Sequence, residues 1–317
     1  MRIALAGDTM LGRRVGEALR EREPASLVAP EVAALAAEAD LFLLNLECCI
    51  SERGRPWPDP NKPFFFRAPP QATEVLVHLG VRCVTLANNH ALDFGEEALL
   101  DTFEHLTAAG IAWVGAGSDL EHARAPVVLE AGGGRVSVLA FSDHPEDFAA
   151  APGRPGIAWA DPRRGVPEWV SDAVGVLDSD VVVVSPHWGP NMSDRPSRDR
   201  REAARRLLDV GATLVAGHSA HVVQGVEGPA LYDLGDFLDD YRVDRRHRND
   251  LGLLFLVDFE RGEPRRLEAV PLKLEYCFTR LADGADAAEI RRRFRELSAR
   301  LGTEVEERGG RLFVEWA

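Results

Sequence analysis

Cysteine is scarce in this chain and badly spaced for metal or disulfide work. The 317 residues contain four: Cys48 and Cys49 are adjacent, Cys83 falls in an apolar run, and Cys277 lies far downstream. With no CxxC pair and no spaced ladder, the sequence offers neither a zinc knuckle nor a disulfide framework. Long apolar stretches are missing too. None approaches the ~18 residues of a membrane span, and the opening MRIALAGD has no signal-type apolar core. The chain as given therefore reads as cytoplasmic, with no membrane span. Basic charge is also short, with 37 Lys+Arg against 51 Asp+Glu and a formal net charge of -14. That balance argues against a broad grip on nucleic-acid phosphates. An anionic small-molecule or peptide substrate is still compatible with it, because a bound cation reverses the field inside one cleft. Oligomeric state is not encoded in any of these features.

Short Val/Ile/Leu-rich runs are abundant instead, at residues 2–6, 40–46, 81–87, 111–114, 136–141, 180–185 and 212–216. Their composition suits strands buried on both faces. Helical patterns lie between several of them, at 31–38, 70–79, 96–109, 167–177 and 198–210. The alternation predicts a mostly parallel sheet layered by helices. Gly132-Gly133-Gly134 suggests a hairpin between 127–130 and 135–141. Residues 222–272 read as strands and turns, 283–301 as a basic amphipathic helix with a solvated charged face, and 311–316 as a last strand. A sheet-on-sheet sandwich with helices outside accommodates all of this. Two loops stand out as candidate lids: 51–70, with six prolines and Phe64-Phe65-Phe66, and 143–167 with Trp159.

Polar residues punctuate the apolar runs at one end. Asp8, Glu47, Asn89, His187 and His218 each follow a strand-like run, and His221 comes three residues after His218. C-terminal ends of parallel strands share an edge, where α/β sheets place ligands, so these six would converge as metal ligands. Carboxylates, an amide oxygen and imidazoles suit one or two divalent transition metals (Mn, Fe or Zn) better than Mg or Ca. Each residue alone has a plain reading: Asp8 as a helix cap, Asn89 as a turn residue, His187 as a semi-buried histidine beside Trp188. The bland account would have to hold independently at every strand end.

The order Gly7-Asp8, Asn45-Leu46-Glu47, Asn88-Asn89-His90 with Asp93, His187-Trp188-Gly189, Gly217-His218 with His221, then Leu234-Gly235 before Phe237 resembles the CapA family. These are capsule and poly-γ-glutamate synthesis proteins, a branch of the calcineurin-like metallophosphoesterases. The resemblance spans roughly residues 1–241. It implies an α/β fold: a four-layer metallophosphoesterase-like sandwich of two mixed β-sheets flanked by helices. On that basis residues 1–275 form the catalytic domain, and 276–317 a helix-strand extension packed on the same domain. The resemblance further implies two metals about 3.5–4 Å apart, bridged by Glu47. Asp8 and His221 would serve one, and Asn89, His187 and His218 the other. His90 would be the catalytic acid/base, its ring held by Asp93 and its pKa raised toward neutrality. Arg13 and Arg67 are expected substrate contacts, with Lys62, His144 and His247 as weaker candidates. The sequence departs from the superfamily pattern at Met10, where Asp-x-His would place a histidine, at Ser219-Ala220, and at Asp236, where asparagine is more usual.

Implied activity is that of a metal-dependent hydrolase acting on a peptide, poly-γ-glutamate-related or phosphoester substrate by activated water or carbonyl polarisation. A metal-dependent peptide epimerase working beside a carboxylate, and a non-catalytic binding module for an acidic polymer, are the alternatives. A purely structural role for the histidines is a further one.

Overall fold

Alternation along the first strand sets the architecture. Ile3 and Leu5 face one way and Ala4 and Ala6 the other, all buried, so Arg2–Thr9 must be covered on both sides. The computed structural model describes residues 1–163 and 165–316. In it Arg2–Thr9, Leu41–Leu46, Cys83–Thr85 and Ala112–Val114 lie side by side in parallel. Leu251–Glu260 extends this sheet antiparallel to Arg2–Thr9, followed by Glu263–Glu275 and Arg311–Glu315. A second sheet is built on Val127–Ala131, Gly134–Ser142, Val181–His187 and Leu214–Ala216, the first pair forming the expected hairpin.

The two sheets pack face to face through Ile3, Leu5, Leu41 and Leu43 against Val136, Val138, Val181 and Val183. Helices Arg13–Glu21, Pro30–Ala36, Ala72–His78 and Gly95–Ala108 cover the outer face of the first sheet through Val15, Val32, Leu76 and Leu99. Glu168–Gly175 and Arg198–Asp209 cover the second through Val170, Val174 and Leu207. This is the four-layer sandwich of mixed sheets expected from the sequence. Two helices escaped the pattern reading. Arg13–Glu21 carries a glycine mid-helix and a largely charged face, and Leu120–Arg124 is five residues long.

Residues beyond 275 join the same framework. Phe278–Leu281 and Arg311–Glu315 both pair with Glu263–Glu275, while Ile290 and Phe294 of helix Gly284–Ala299 enter the inter-sheet core. Arg292 on that helix pairs with Glu289 and Glu296, which is the solvated face the sequence suggested. Among the described residues no helix is long and apolar enough to cross a membrane.

One close approach matters for the site. The short strand Asp236–Leu238 runs parallel to Arg2–Thr9 with Asp8 in register with Asp236. A Cβ on Gly7 would lie 1.8 Å from the Gly235 carbonyl oxygen, so only glycine lets the two segments meet there.

Candidate metal centre

Both sheets deliver their polar strand ends to one edge. Asp8, Glu47, His187, His218 and His221 are all buried there, and His187 bridges to His218 across the second sheet. Trp188 fixes this turn from below, its backbone N–H donating to the His218 carbonyl at 3.0 Å and its indole to the Tyr232 carbonyl at 3.0 Å. Asn45 sets the Asp8 carboxylate. Its amide nitrogen donates to Asp8 Oδ1 at 2.8 Å, while its oxygen accepts from Thr85 at 2.9 Å and Asn88 at 3.0 Å.

Around Asp8, His218 Nδ1 lies 3.3 Å from Oδ1 and His221 Nδ1 3.3 Å from Oδ2. Glu47 Oε1 sits 3.7 Å from His187 Nε2 and 3.8 Å from His221 Nε2. Asp8, Glu47 and His187 each offer a ligand atom within 4.8 Å of one another, and so do Asp8, His221 and Asp236. Several of these atoms have no hydrogen-bond partner: Glu47 Oε1, both His187 nitrogens, His218 Nδ1 and, beside them, Asn89 Oδ1. Unpaired polar atoms in a buried site are costly. A cation satisfies them together, so the residues present fit a divalent metal.

Electrostatics point the same way. Burial pushes Glu47 well above the ordinary carboxylate range, against the pull of His221, and Asp8 and Asp236 add to the rise. Asp236 is pushed up to about 6 by burial, opposed by His221. Burial would also raise Asp8, but His218, His221 and His187 outweigh it and hold it low. Burial drives His187 well below its usual value, leaving a neutral ring of the kind that binds metal. For His221 burial works downward, and Glu47, Asp236 and Asp8 together carry it upward. Such a crowd of like charges is what a doubly charged ion relieves.

His90 stands beside this cluster. Its ring stacks on Phe66 with centroids 3.9 Å apart, and Nδ1 lies 2.6 Å from Asp93 Oδ2. The sequence suggested that Asp93 would raise His90 toward neutrality. Instead burial lowers it to about 4, outweighing Asp93. Asp93 is shared, since Lys62 Nζ sits 2.9 Å from Oδ1 and the Phe66 N–H donates to Oδ2 at 2.6 Å. At neutral pH His90 is uncharged, with Nδ1 donating to Asp93.

The two long loops wall this edge, meeting where Trp57 packs on Phe148 at 4.8 Å. A cavity of about 410 Å³ opens onto His90 and His221, lined also by Arg13, Phe64, Phe66, Tyr241 and Arg242. Arg13 is held by Asp240 at 3.2 Å and lies 5.5 Å from the Phe66 ring. Arg67 does not line it. The strand Arg67–Ala68 alternates, so Phe66 turns inward and Arg67 outward, where its guanidinium covers Phe94 at 4.1 Å and donates to the Arg53 carbonyl. The expectation of a substrate contact there is corrected. Lys62 points inward and donates to the Asn89 carbonyl at 2.7 Å.

His144 lies 5.3 Å from His187, ring to ring, and pairs with Asp143. His247 pairs with Asp244. Cys48 is a buried thiol pushed up to about 12 by burial, as inert as a small hydrophobe. Sequence reasoning gave no role to Asn45, Tyr241 or Arg242. Asn45 left a signal, a lone amide in the otherwise apolar strand Leu41–Leu46. Tyr241 left none, because it follows an irregular acidic stretch.

Residues 2–241 match the family model described as "Bacterial capsule synthesis protein PGA_cap". The chain is 35% identical over 285 residues to a "Probable polyglutamine synthesis accessory protein" of Mycobacterium tuberculosis, covering 84% of this chain and 74% of that protein. It is 29% identical to the "PGA biosynthesis protein CapA" of Bacillus subtilis, covering 75% of this chain and 63% of that one. Among solved structures, a novel phosphatase from Mycoplasma pneumoniae superposes with TM-score 0.51 at 14% identity, over 86% of this chain and 93% of that one. That last likeness is one of fold, and the sandwich is metallophosphoesterase-like.

Proposed function

The chain belongs to the PGA_cap family of bacterial capsule synthesis proteins, and on that footing we propose that it is a metal-dependent hydrolase of an anionic, peptide-like chain related to poly-γ-glutamate. The carrying observation is the set of buried, unpartnered ligand atoms on Glu47, Asn89, His187 and His218, gathered around Asp8. Asp8, Glu47, Asn89, His187, His218 and His221 would hold one or two divalent ions (Mn, Fe or Zn), with Glu47 between the histidines of the two groups. A divalent ion bound there supplies Lewis-acid polarisation of a substrate oxygen and a nucleophile from water at neutral pH.

The chain's own residues supply the remainder. Arg13 and Arg242 give the cavity two cations for carboxylates of the substrate, and Phe64 and Phe66 line the apolar part of its wall. His90, neutral and fixed by Asp93, takes a proton from water or substrate and returns it to the leaving group. Tyr241 steadies Glu47. The names of the bacterial relatives favour a glutamyl substrate, while the fold alone would equally suit a phosphoester.

One observation favours a second reading. An unprotonated His90 is also a competent base for an α-proton beside a carboxylate, as a peptide epimerase requires. Incubation with glutamyl peptides and chromogenic phosphoesters, with added Mn2+ or Zn2+, in D2O separates the cases. Hydrolysis yields cleaved product. Epimerisation yields intact peptide carrying deuterium at the α-carbon, and metal binding with neither product leaves only an acidic-polymer binding module.

A further inference from the structure

We propose that Asp236 is itself a metal ligand of this centre, completing with Asp8 and His221 a coordination set that Met10 does not serve. The proposal rests on the metal centre described above and adds a residue to it. Met10 is fully buried at the end of the first strand and offers only a thioether, whose sulfur already accepts the Gly12 N–H at 3.1 Å. A soft thioether is a poor donor to a hard divalent ion. Asp236 instead reaches Asp8 and His221 from a neighbouring strand.

Backbone geometry puts it there. Asp236 stands in register with Asp8, and the Asp8 N–H donates to the Gly235 carbonyl at 2.8 Å, a contact only Gly7 permits. Asp233 locks the approach, accepting the Gly235 N–H at 2.9 Å and the Ala220 N–H at 2.7 Å. One carboxylate thus ties the segment carrying His221 to the segment carrying Asp236.

The side chain divides its two oxygens. Oδ1 lies 2.8 Å from His221 Nδ1, while Oδ2 is buried with no well-formed hydrogen bond and the Asn249 amide is a neutral donor beside the carboxylate. Asp8, His221 and Asp236 offer ligand atoms within 4.8 Å of one another. An orienting role for His221 occupies one Asp236 oxygen, and the other remains beside Asp8 and His221, where a cation would meet all three side chains. Its presence beside Asp8 and Glu47 makes the centre carboxylate-rich, which favours harder ions such as Mn2+.

The test is Mn2+ and Zn2+ titration of the metal-stripped full-length protein by calorimetry, with elemental analysis of stoichiometry. Asp236→Asn keeps an acceptor for His221 Nδ1 and nearly the same shape, so it preserves an orienting role while removing the carboxylate. The expected result is at least a tenfold weaker Mn2+ site in Asp236→Asn and loss of one ion per chain in Asp236→Ala, with circular dichroism unchanged. Wild-type affinity and stoichiometry in Asp236→Asn would overturn the assignment while leaving the metal centre standing. A wild-type protein that binds neither ion overturns the centre and this ligand together.

Discussion

The Tyr241 hydroxyl donates to Glu47 Oε2 at 3.1 Å, and Glu47 Oε1 on the other side is left free between His187 and His221. One oxygen is thereby fixed by the protein and the other reserved for the centre. Tyr241→Phe removes a hydrogen bond to a charged group, worth about 1.5–3 kcal/mol. Metal affinity should fall roughly tenfold to a hundredfold, with stoichiometry at saturation unchanged. Unaltered Mn2+ affinity would show that Tyr241 does not support Glu47.

Asn45 makes a different kind of contribution. It holds Asp8 while satisfying Thr85 and Asn88, all within the core. Asn45→Ala leaves the Thr85 hydroxyl without its acceptor, removes the donor to Asp8 and leaves the Asn88 amide with the Leu46 carbonyl alone, and should lower stability by about 2–3 kcal/mol. Urea unfolding of the metal-free protein checks this, and retained stability there would refute the network's importance.

Protonation of His90 should govern the acid side of any turnover. Its pKa is lowered to about 4 by burial, with Asp93 working upward and Lys62 downward. Activity should therefore hold as pH falls through 6 and drop only near 4. Lys62→Met removes the downward influence, so its acid limb should move to higher pH. A wild-type limb near 6.5, or no movement in the variant, contradicts the assignment.

Far from the centre, Glu227 joins the helix Arg198–Asp209 to the second sheet. Arg201 grips it at 2.8 and 2.9 Å, with Arg205 at 2.9 Å and the Tyr232 hydroxyl at 2.8 Å. Arg201 is the main cause that brings its pKa down to about 2, against some burial. A carboxylate depressed in the folded state stabilises above its unfolded value near 4.5, and that stability is lost as pH falls toward 2. Glu227→Gln should cost about 1 kcal/mol at pH 7, a figure discounted for partial exposure. The gap to wild type should close between pH 4.5 and 2 in denaturant unfolding. A gap that persists at low pH rules out the charge as its source.

Much of the fold was legible because buried parallel strands advertise themselves. The runs at 2–6, 40–46 and 180–185 are apolar on consecutive positions except at their ends and at Asn45, without the polar alternation of a solvent-facing strand, and the residues after them gave the ligand candidates directly. Arg13–Glu21 was harder, since only Val15, Gly16, Ala18 and Leu19 are buried and its charged face hides the period. Arg67 misled because proximity to the aromatic run says nothing about which way an extended residue points. For His90 the sequence showed the partner Asp93 but not the depth of burial, and burial decided the sign. Asp236 and Tyr241 depend on a strand that returns to Asp8 after more than two hundred residues, a contact that no local pattern encodes.

Divalent metal content tests the central claim most directly. Elemental analysis of the purified protein, after exposure to Mn2+ and Zn2+ and removal of excess, should find one or two tightly held ions per chain. Glu47→Ala and His218→Ala should each lose at least one of them while staying folded. Full metal content in both variants, or none in the wild-type protein, would contradict the account.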